Sequence, residues 1–369
     1  MLKAYLITET ILCFVNIIVA ILLCYYKSKK KTIIKISNMI YAPVIIPTLN
    51  RYEHFCKCLE SLEVCTGAEY TDVYIALDYP PSDKYVDGWK KVDAFLQEKE
   101  KNNNFKSLIV YRRKENYFFS DKGNLKTAIE DLPRTVERFI YSEDDNIFSP
   151  NFLEYINKSL EKYKDDSNCM AVCGYNYQGV KLNGYDKNCY MSREYSAWGV
   201  GFWRNKRCLL DAIINREFAE SIMSSWHNIW TIYKNEPRLL NTILLNIDSD
   251  CIFGDTMIVS YQYLNNKYSL FPKVSKVRNI GFDGSGTSIF EVDQSFSDQV
   301  IDKDKHFTVD EVGSESIAIA SPEVRKNFGR SWIMNVVILI RCIVYLFTKK
   351  DILFFEAKRR NKSLFATRK

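Results

Sequence analysis

The sequence predicts an α/β fold: a mainly parallel, mixed sheet flanked by helices. Three observations predict it. Short apolar runs at 44–48, 73–78, 108–111 and 139–142 alternate with stretches of helical periodicity. Their C-terminal ends collect polar groups: Thr48, Asn50 and Arg51; Asp78; Arg112 and Arg113; Glu143, Asp144 and Asp145. Open α/β sheets bind ligands at that rim. The chain is also long enough, at 369 residues with 47% hydrophobic content, to bury a core of that size.

The elements follow in order. Residues 5–26 are mostly apolar, interrupted by Glu9 and Asn16, and are long enough to cross a bilayer. No small-residue cleavage site follows, so the run reads as an anchor within a segment spanning 1–40. Lys27, Lys29, Lys30, Lys31 and Lys35 crowd its far end against a single Lys3 before it, which sets the large domain on the cytoplasmic side of the membrane. The domain itself spans 41–290, with a nucleotide-binding half at 41–146 and an acceptor half at 147–290. The first run ends at Pro47, and an amphipathic helix covers about 53–63. Pro80, Pro81 and Ser82 break the chain before a helix over 84–101. A further helix covers 124–132. Ser149 and Pro150 suit the N-cap and first position of a helix after the acidic triplet.

The acceptor half is less regular. A strand over 170–174 precedes a polar loop at 175–187. The small and aromatic stretch 195–204 holds Trp198 and Gly199; glycines there admit a ligand to the backbone and Trp198 can wall it, or the same residues simply pack together. Residues 207–245 read as mostly helical, and a helix starting near Asp255 runs to about 264. Residues 269–272 enter a glycine-rich loop over 277–287, a cover for a site. The acidic stretch 291–330 reads as a linker or lid. Within 331–369, the apolar run 332–347 is short for a span and carries Arg341. It is expected to lie in the membrane interface with Arg341 snorkelling, and a basic tail (Lys358, Arg359, Arg360, Lys362) suits anionic lipid.

Several classes are excluded. A formal charge of +6 is mild, and no zinc-finger, RNA-binding or helix-turn-helix pattern occurs, so nucleic acid is not an expected partner. Eleven cysteines lack framework spacing and read as thiols of a reducing compartment, with only a weak zinc pattern around His54, Cys56, Cys58 and Cys65. No glycine-rich dinucleotide loop follows the first strand, and no Walker A loop occurs. Bound phosphates therefore need a cation and basic side chains, with Arg112, Arg113 and Lys122 in reach. Adjacent carboxylates resist desolvation unless a cation joins them, and hard oxygen ligands suit Mg²⁺ or Mn²⁺. Read alone, the triplet is equally a solvated acidic turn.

Four stretches occur in sequence: Val44-Ile45-Ile46-Pro47-Thr48-Leu49-Asn50-Arg51, Ser142-Glu143-Asp144-Asp145, Ser196-Ala197-Trp198-Gly199-Val200-Gly201-Phe202-Trp203-Arg204, and Asn279-Ile280-Gly281-Phe282-Asp283-Gly284-Ser285-Gly286-Thr287. Together they resemble inverting GT-A fold glycosyltransferases, notably bacterial cell-surface polysaccharide enzymes. The triplet resembles the Glu-Asp-Asp motif of N-acetylglucosaminyltransferase I enzymes. The resemblance covers about 41–288. It implies a nucleotide-sugar donor, a UDP-sugar favoured, and a glycan or lipid-linked oligosaccharide acceptor at a bacterial inner membrane. Thr48, Asn50, Arg51, Asp78, Arg112, Lys122, Trp198 and Gly199 would bind the donor. Asp145 would hold Mn²⁺ or Mg²⁺, Asp144 would reach the ribose or the metal's shell, and Glu143 would orient its neighbours. Asp255 would be the general base; its plain alternative is a helix-cap residue. The family's late metal-binding histidine is Ser288 here, so Asp283 or water takes that place. A catalytically inactive scaffold of the same fold is the alternative function. A nucleotidyltransferase is disfavoured by the missing activating loop, and a processive synthase by its missing Gln-x-x-Arg-Trp motif.

Overall fold

The computed structural model describes residues 40–118, 123–248, 252–286, 292–329 and 331–351. The chain divides into two units, residues 1–41 and 42–369, and every element below lies in the second. The expected anchor at 5–26, Lys122, Ser288 and the basic tail fall outside the described residues.

The strands are β1 (Val44–Thr48), β2 (Asp72–Leu77), β3 (Ser107–Arg112), β4 (Arg138–Tyr141), β5 (Asn146–Phe148), β6 (Cys169–Cys173), β7 (Cys189–Ser192), β8 (Val200–Trp203), β9 (Tyr268–Pro272) and β10 (Val277–Asn279). The helices are α1 (Tyr52–Glu63), α2 (Asp83–Lys99), α3 (Asn124–Glu130), α4 (Phe152–Lys162), α5 (Arg204–Asp211), α6 (Arg216–Met223), α7 (Trp226–Asn235), α8 (Arg238–Asp248), α9 (Gly254–Leu264), α10 (Gln294–Ser297), α11 (Glu315–Phe328) and α12 (Trp332–Thr348).

Eight strands form one sheet in the order β3-β2-β1-β4-β8-β6-β9-β7. The half made of β3, β2, β1 and β4 is parallel, as the alternation of strands and helices requires. β8 then enters antiparallel to both β4 and β6, β6 and β9 are parallel, and β7 closes the edge antiparallel to β9. The sheet is therefore mixed. Pro47 sits in a central strand without penalty because β4 has already left the ladder, its pairing with β1 ending at Ile45 opposite Tyr141.

Alternate residues bury on opposite faces. Ile45, Tyr74, Phe139 and Phe202 join a core with Ala128 of α3 and the apolar stripes of α6 to α9. The other face takes α4, which approaches closely because Gly201 has no side chain: a Cβ there would stand 2.6 Å from Ile156 Cγ2 and 3.0 Å from Leu160 Cδ1.

Several local expectations change. The acidic triplet leads into strand β5, which pairs antiparallel with β10, and not directly into a helix. Asn151 occupies the N-cap position of α4, while Ser149 Oγ donates to Asn151 Oδ1 at 3.0 Å. β10 lies in the stretch expected as a loop, and β7, β8 and β9 were not marked as strands, because their partners are remote in sequence. The expected linker is tied down: the Phe307 N–H donates to Glu154 at 2.6 Å, Lys158 donates to the Phe307 carbonyl at 2.6 Å, and buried Lys276 pairs with Asp302. It ends in α11, where Ser316 Oγ accepts from the Met191 N–H at 2.9 Å.

Candidate active site

The rim at the C-terminal ends of β1, β2 and β4 gathers the groups the sequence singled out. Thr48, the last residue of β1, donates its hydroxyl to Asp144 Oδ2 at 2.8 Å. Three residues on, Arg51 stands at the start of α1, and one guanidinium nitrogen reaches Asp144 Oδ1 at 2.8 Å and Asp145 Oδ2 at 2.5 Å. Asn279, at the end of β10, donates to Asp145 Oδ1 at 2.7 Å. Its own Oδ1 accepts from the Gly281 N–H at 2.8 Å. Gly281 is required there, because a methyl group would run into Asp145 Oδ2. The β5–β10 pair is therefore the clamp that seats the acidic motif against the late glycine loop.

Both aspartates are buried. Desolvation raises the Asp144 carboxyl above its usual range, with Arg51 pulling the other way. The partly buried Glu143 is pushed up by desolvation, then by the charges of Asp145, Asp255 and Asp144. Asp255 is thus electrostatically within the same site, and its charge also acts on Tyr141 and Tyr195. Asp255 lies in the first turn of α9 and is reached by solvent. Enough protein surrounds it that desolvation, partly offset by Arg207, raises its carboxyl to about 6, a shift that solvent access limits. Phe253, not Asp255, holds the N-cap position of α9.

The remaining expected residues divide. Asp78 is buried at the end of β2, and its carboxylate accepts the backbone N–H groups of Tyr79, Tyr117 and Phe118 at 2.9, 2.8 and 2.8 Å. It holds the 116–118 turn over the rim. Asn50 lies beside α2, where any side chain on Gly88 would collide with its carbonyl. Arg112 is drawn to α2 by Asp93 at 2.7 Å and Glu100 at 2.8 Å, away from the acidic triplet. Asp283 pairs with His54 at 3.0 Å and with Ser285, and joins neither Asp144 nor Asp145. Among the described residues no three His, Cys, Asp or Glu side chains gather as a metal cage.

Trp198 packs edge-on against Tyr175, Phe282 and Phe296, with ring centroids 4.6, 5.7 and 5.6 Å away. It pins the glycine loop to the body. Gly199 has φ +66°, and a Cβ there would stand 2.7 Å from Val277 Cγ2 and 2.9 Å from Phe152 Cε2. Packing accounts for this glycine.

In the sequence, Asn279 stands in the late loop motif with no role marked for it, and nothing marks Arg207. Asn279 was findable from its place in the loop motif. Arg207 carries no sequence signal; its guanidinium pairs with Asp211 at 2.6 Å, and only its charge acts on Asp255.

No family model matches the chain, and no curated protein matches it. Solved structures similar to it include S. aureus TarS, 14% identical over 47% of this chain and 30% of that one, with a TM-score of 0.31. The structure of S. aureus TarS residues 1–349 is 15% identical over 47% and 49% of the two chains, with a TM-score of 0.32. Mouse xyloside xylosyltransferase 1, in its apo form, is 10% identical over 50% and 76%, with a TM-score of 0.32. The matched region thus spans less than a third of the first of these chains.

Proposed function

We propose that this chain is an inverting glycosyltransferase of the GT-A type, moving a sugar from a nucleotide-sugar donor to a hydroxyl of a glycan or lipid-linked acceptor. One observation carries the reading. Thr48, Arg51, Asp144, Asp145 and Asn279 converge at the C-terminal rim of a parallel half-sheet that has no glycine phosphate loop. A rim of that kind needs charge to hold a diphosphate, and Asp255 stands close enough to perturb Glu143.

The donor set fits a divalent cation. Asp144 and Asp145 offer buried hard oxygens, and Mg²⁺ or Mn²⁺ is usually held by one or two carboxylates with substrate phosphate and water completing the shell. Asp145 would be the ligand with Asp144 beside it; Asp283, paired to His54, does not complete the set. The ion, when bound, would neutralise the departing diphosphate. The rest is done by this chain's side chains. Thr48, Asn50 and Arg51 orient the nucleotide, and Asp78 fixes the turn above it. Asp255 takes the acceptor hydroxyl's proton as that oxygen bonds to the anomeric carbon and the bond to the diphosphate breaks.

The test is calorimetric titration of nucleoside diphosphates with and without Mn²⁺, followed by a donor screen that reads released nucleoside diphosphate. Mn²⁺ should tighten binding at least tenfold, and Asp145→Ala should remove that gain. Wild-type protein that binds no common nucleotide or nucleotide sugar in a metal-dependent way would sink the reading.

A further inference from the structure

The helical face formed by α7 and α12 has no role in the chemistry above. α12 was expected to lie in the membrane interface with Arg341 reaching out. Instead Arg341 is buried, donating to Asn241 Oδ1 at 2.6 Å and pairing with Asp351. With Ile338, Cys342 and Tyr345 it docks α12 onto the α6–α8 layer. The opposite side of α12 is apolar and open. Trp332 is 74% exposed and Phe347 80%, with Ile333, Met334, Val336, Val337 and Ile340 exposed between them. The neighbouring α7 adds an aromatic ladder. Trp226 stacks on Trp230 at 5.8 Å and Trp230 on Tyr233 at 5.6 Å, and both tryptophans are exposed.

We infer that this α7–α12 face rests on a bilayer containing anionic lipid. Four observations select that occupant. A single soluble chain rarely leaves so many large apolar side chains uncovered on two helices that pack together. Tryptophan and tyrosine beside lysine is the composition of the membrane–water interface. The cations lie at the edges of the face: Lys234 near the Trp230 ring, Lys349 and Lys350 after α12, and no acidic residue occurs within α7 or α12. Finally, no helix among the described residues is long and apolar enough to cross a membrane alone; α11 and α12 pass that test only as a pair bent by 94°. Packed from behind by Ile338, Arg341, Cys342 and Tyr345, α12 lies along the surface of the domain.

The consequence for the site rests on the transferase reading. α9, which carries Asp255, packs directly on α7. A bilayer against α7 brings lipid-borne acceptors to the base from the membrane side, favouring a lipid-linked acceptor over a free glycan.

The experiment uses the full chain reconstituted in vesicles of phosphatidylcholine and phosphatidylglycerol with brominated acyl chains. Residues 1–39 contain no tryptophan, so quenching reads the domain alone whatever holds the chain to the vesicle. Three of the six tryptophans, Trp226, Trp230 and Trp332, lie on the proposed face. Bromination should remove up to about half of the emission. The Trp226→Phe/Trp230→Phe/Trp332→Phe variant should show no residual quenching, and Lys349→Glu/Lys350→Glu should weaken quenching most at high anionic-lipid content. Unquenched wild-type protein, or quenching that survives in the triple variant, overturns the inference without bearing on nucleotide binding. Quenching with transfer only to soluble glycans would leave the membrane face standing and reject the acceptor consequence.

Discussion

Gly199 offers a direct way to separate packing from ligand contact. It was expected to let the backbone approach a donor, yet the space a side chain would fill is already taken by Val277 and Phe152. In Gly199→Ala two costs add. A non-glycine residue at φ +66° costs about 1–2 kcal/mol. Forcing a methyl group to 2.7 Å from Val277 and 2.9 Å from Phe152 adds roughly 1–3 kcal/mol of overpacking. Gly184 is the control, because it has φ +74° but nothing within 4 Å of an added Cβ. Gly184→Ala should therefore lose only the backbone part. At about 2.1 cal/mol/K per residue, the unit spanning residues 42–369 unfolds with an entropy near 0.7 kcal/mol/K. The expected fall in Tm is then roughly 3–7 °C for Gly199→Ala and about 1.5–3 °C for Gly184→Ala. Scanning fluorimetry measures both, and nucleotide titration of the folded variants measures the rest. Equal Tm losses would refute the packing argument. A near-normal Tm with abolished nucleotide binding would show that Gly199 serves the ligand.

Three further outcomes follow from the charges. Asp255→Asn should keep donor binding and lose transfer; with its carboxyl near 6, wild-type kcat should rise about tenfold per pH unit below that value and level off above it. A profile in a steady-state assay that stays flat down to pH 4 would remove Asp255 as the base. Arg51→Ala strips the shared cation from two buried carboxylates and should cost roughly 3–5 kcal/mol in urea unfolding, with Arg51→Lys recovering part of it; a loss below about 1 kcal/mol would mean the carboxylates are otherwise neutralised. Glu236 is buried, which raises its carboxyl to about 7 against the pull of Arg238. A raised carboxyl stabilises the fold fully below its ordinary range and loses that contribution as pH climbs through about 7. Glu236→Gln should thus be more stable than wild type at pH 8, by up to about 3 kcal/mol, and no more stable at pH 5; a variant weaker than wild type at pH 8 contradicts this.

The local half of the fold was legible because its signals are local. β1 to β4 and the helices between them are short apolar runs and periodic stretches closed by Pro47, Pro80-Pro81 or the Asn102–Asn104 turn, and the structure reproduces them within a residue or two. β7, β9 and β10 were not legible. Each is three to five residues long and is stabilised by partners far along the chain, so no window of sequence contains the reason for it. The same is true of the stretch 299–313, whose bonds go to Glu154, Lys158 and Asn188.

For the site, the sequence by itself determined the inventory: an acidic triplet after a strand, an arginine after the first strand, a late glycine loop, and no phosphate-binding loop. These follow from composition at strand ends. Only the tertiary structure decided the pairings. Arg51 serves Asp144 and Asp145 together; Asn279 locks Asp145; Asp283 turns to His54; Arg112 is committed to α2; and Arg341 faces inward, leaving α12 its open apolar side. The physical reason is that a charge settles by distance to its counter-charge. For Arg51 and Asn279 that distance is set by sheet order and helix packing across ninety or more residues of chain, which periodicity and motif spacing do not encode.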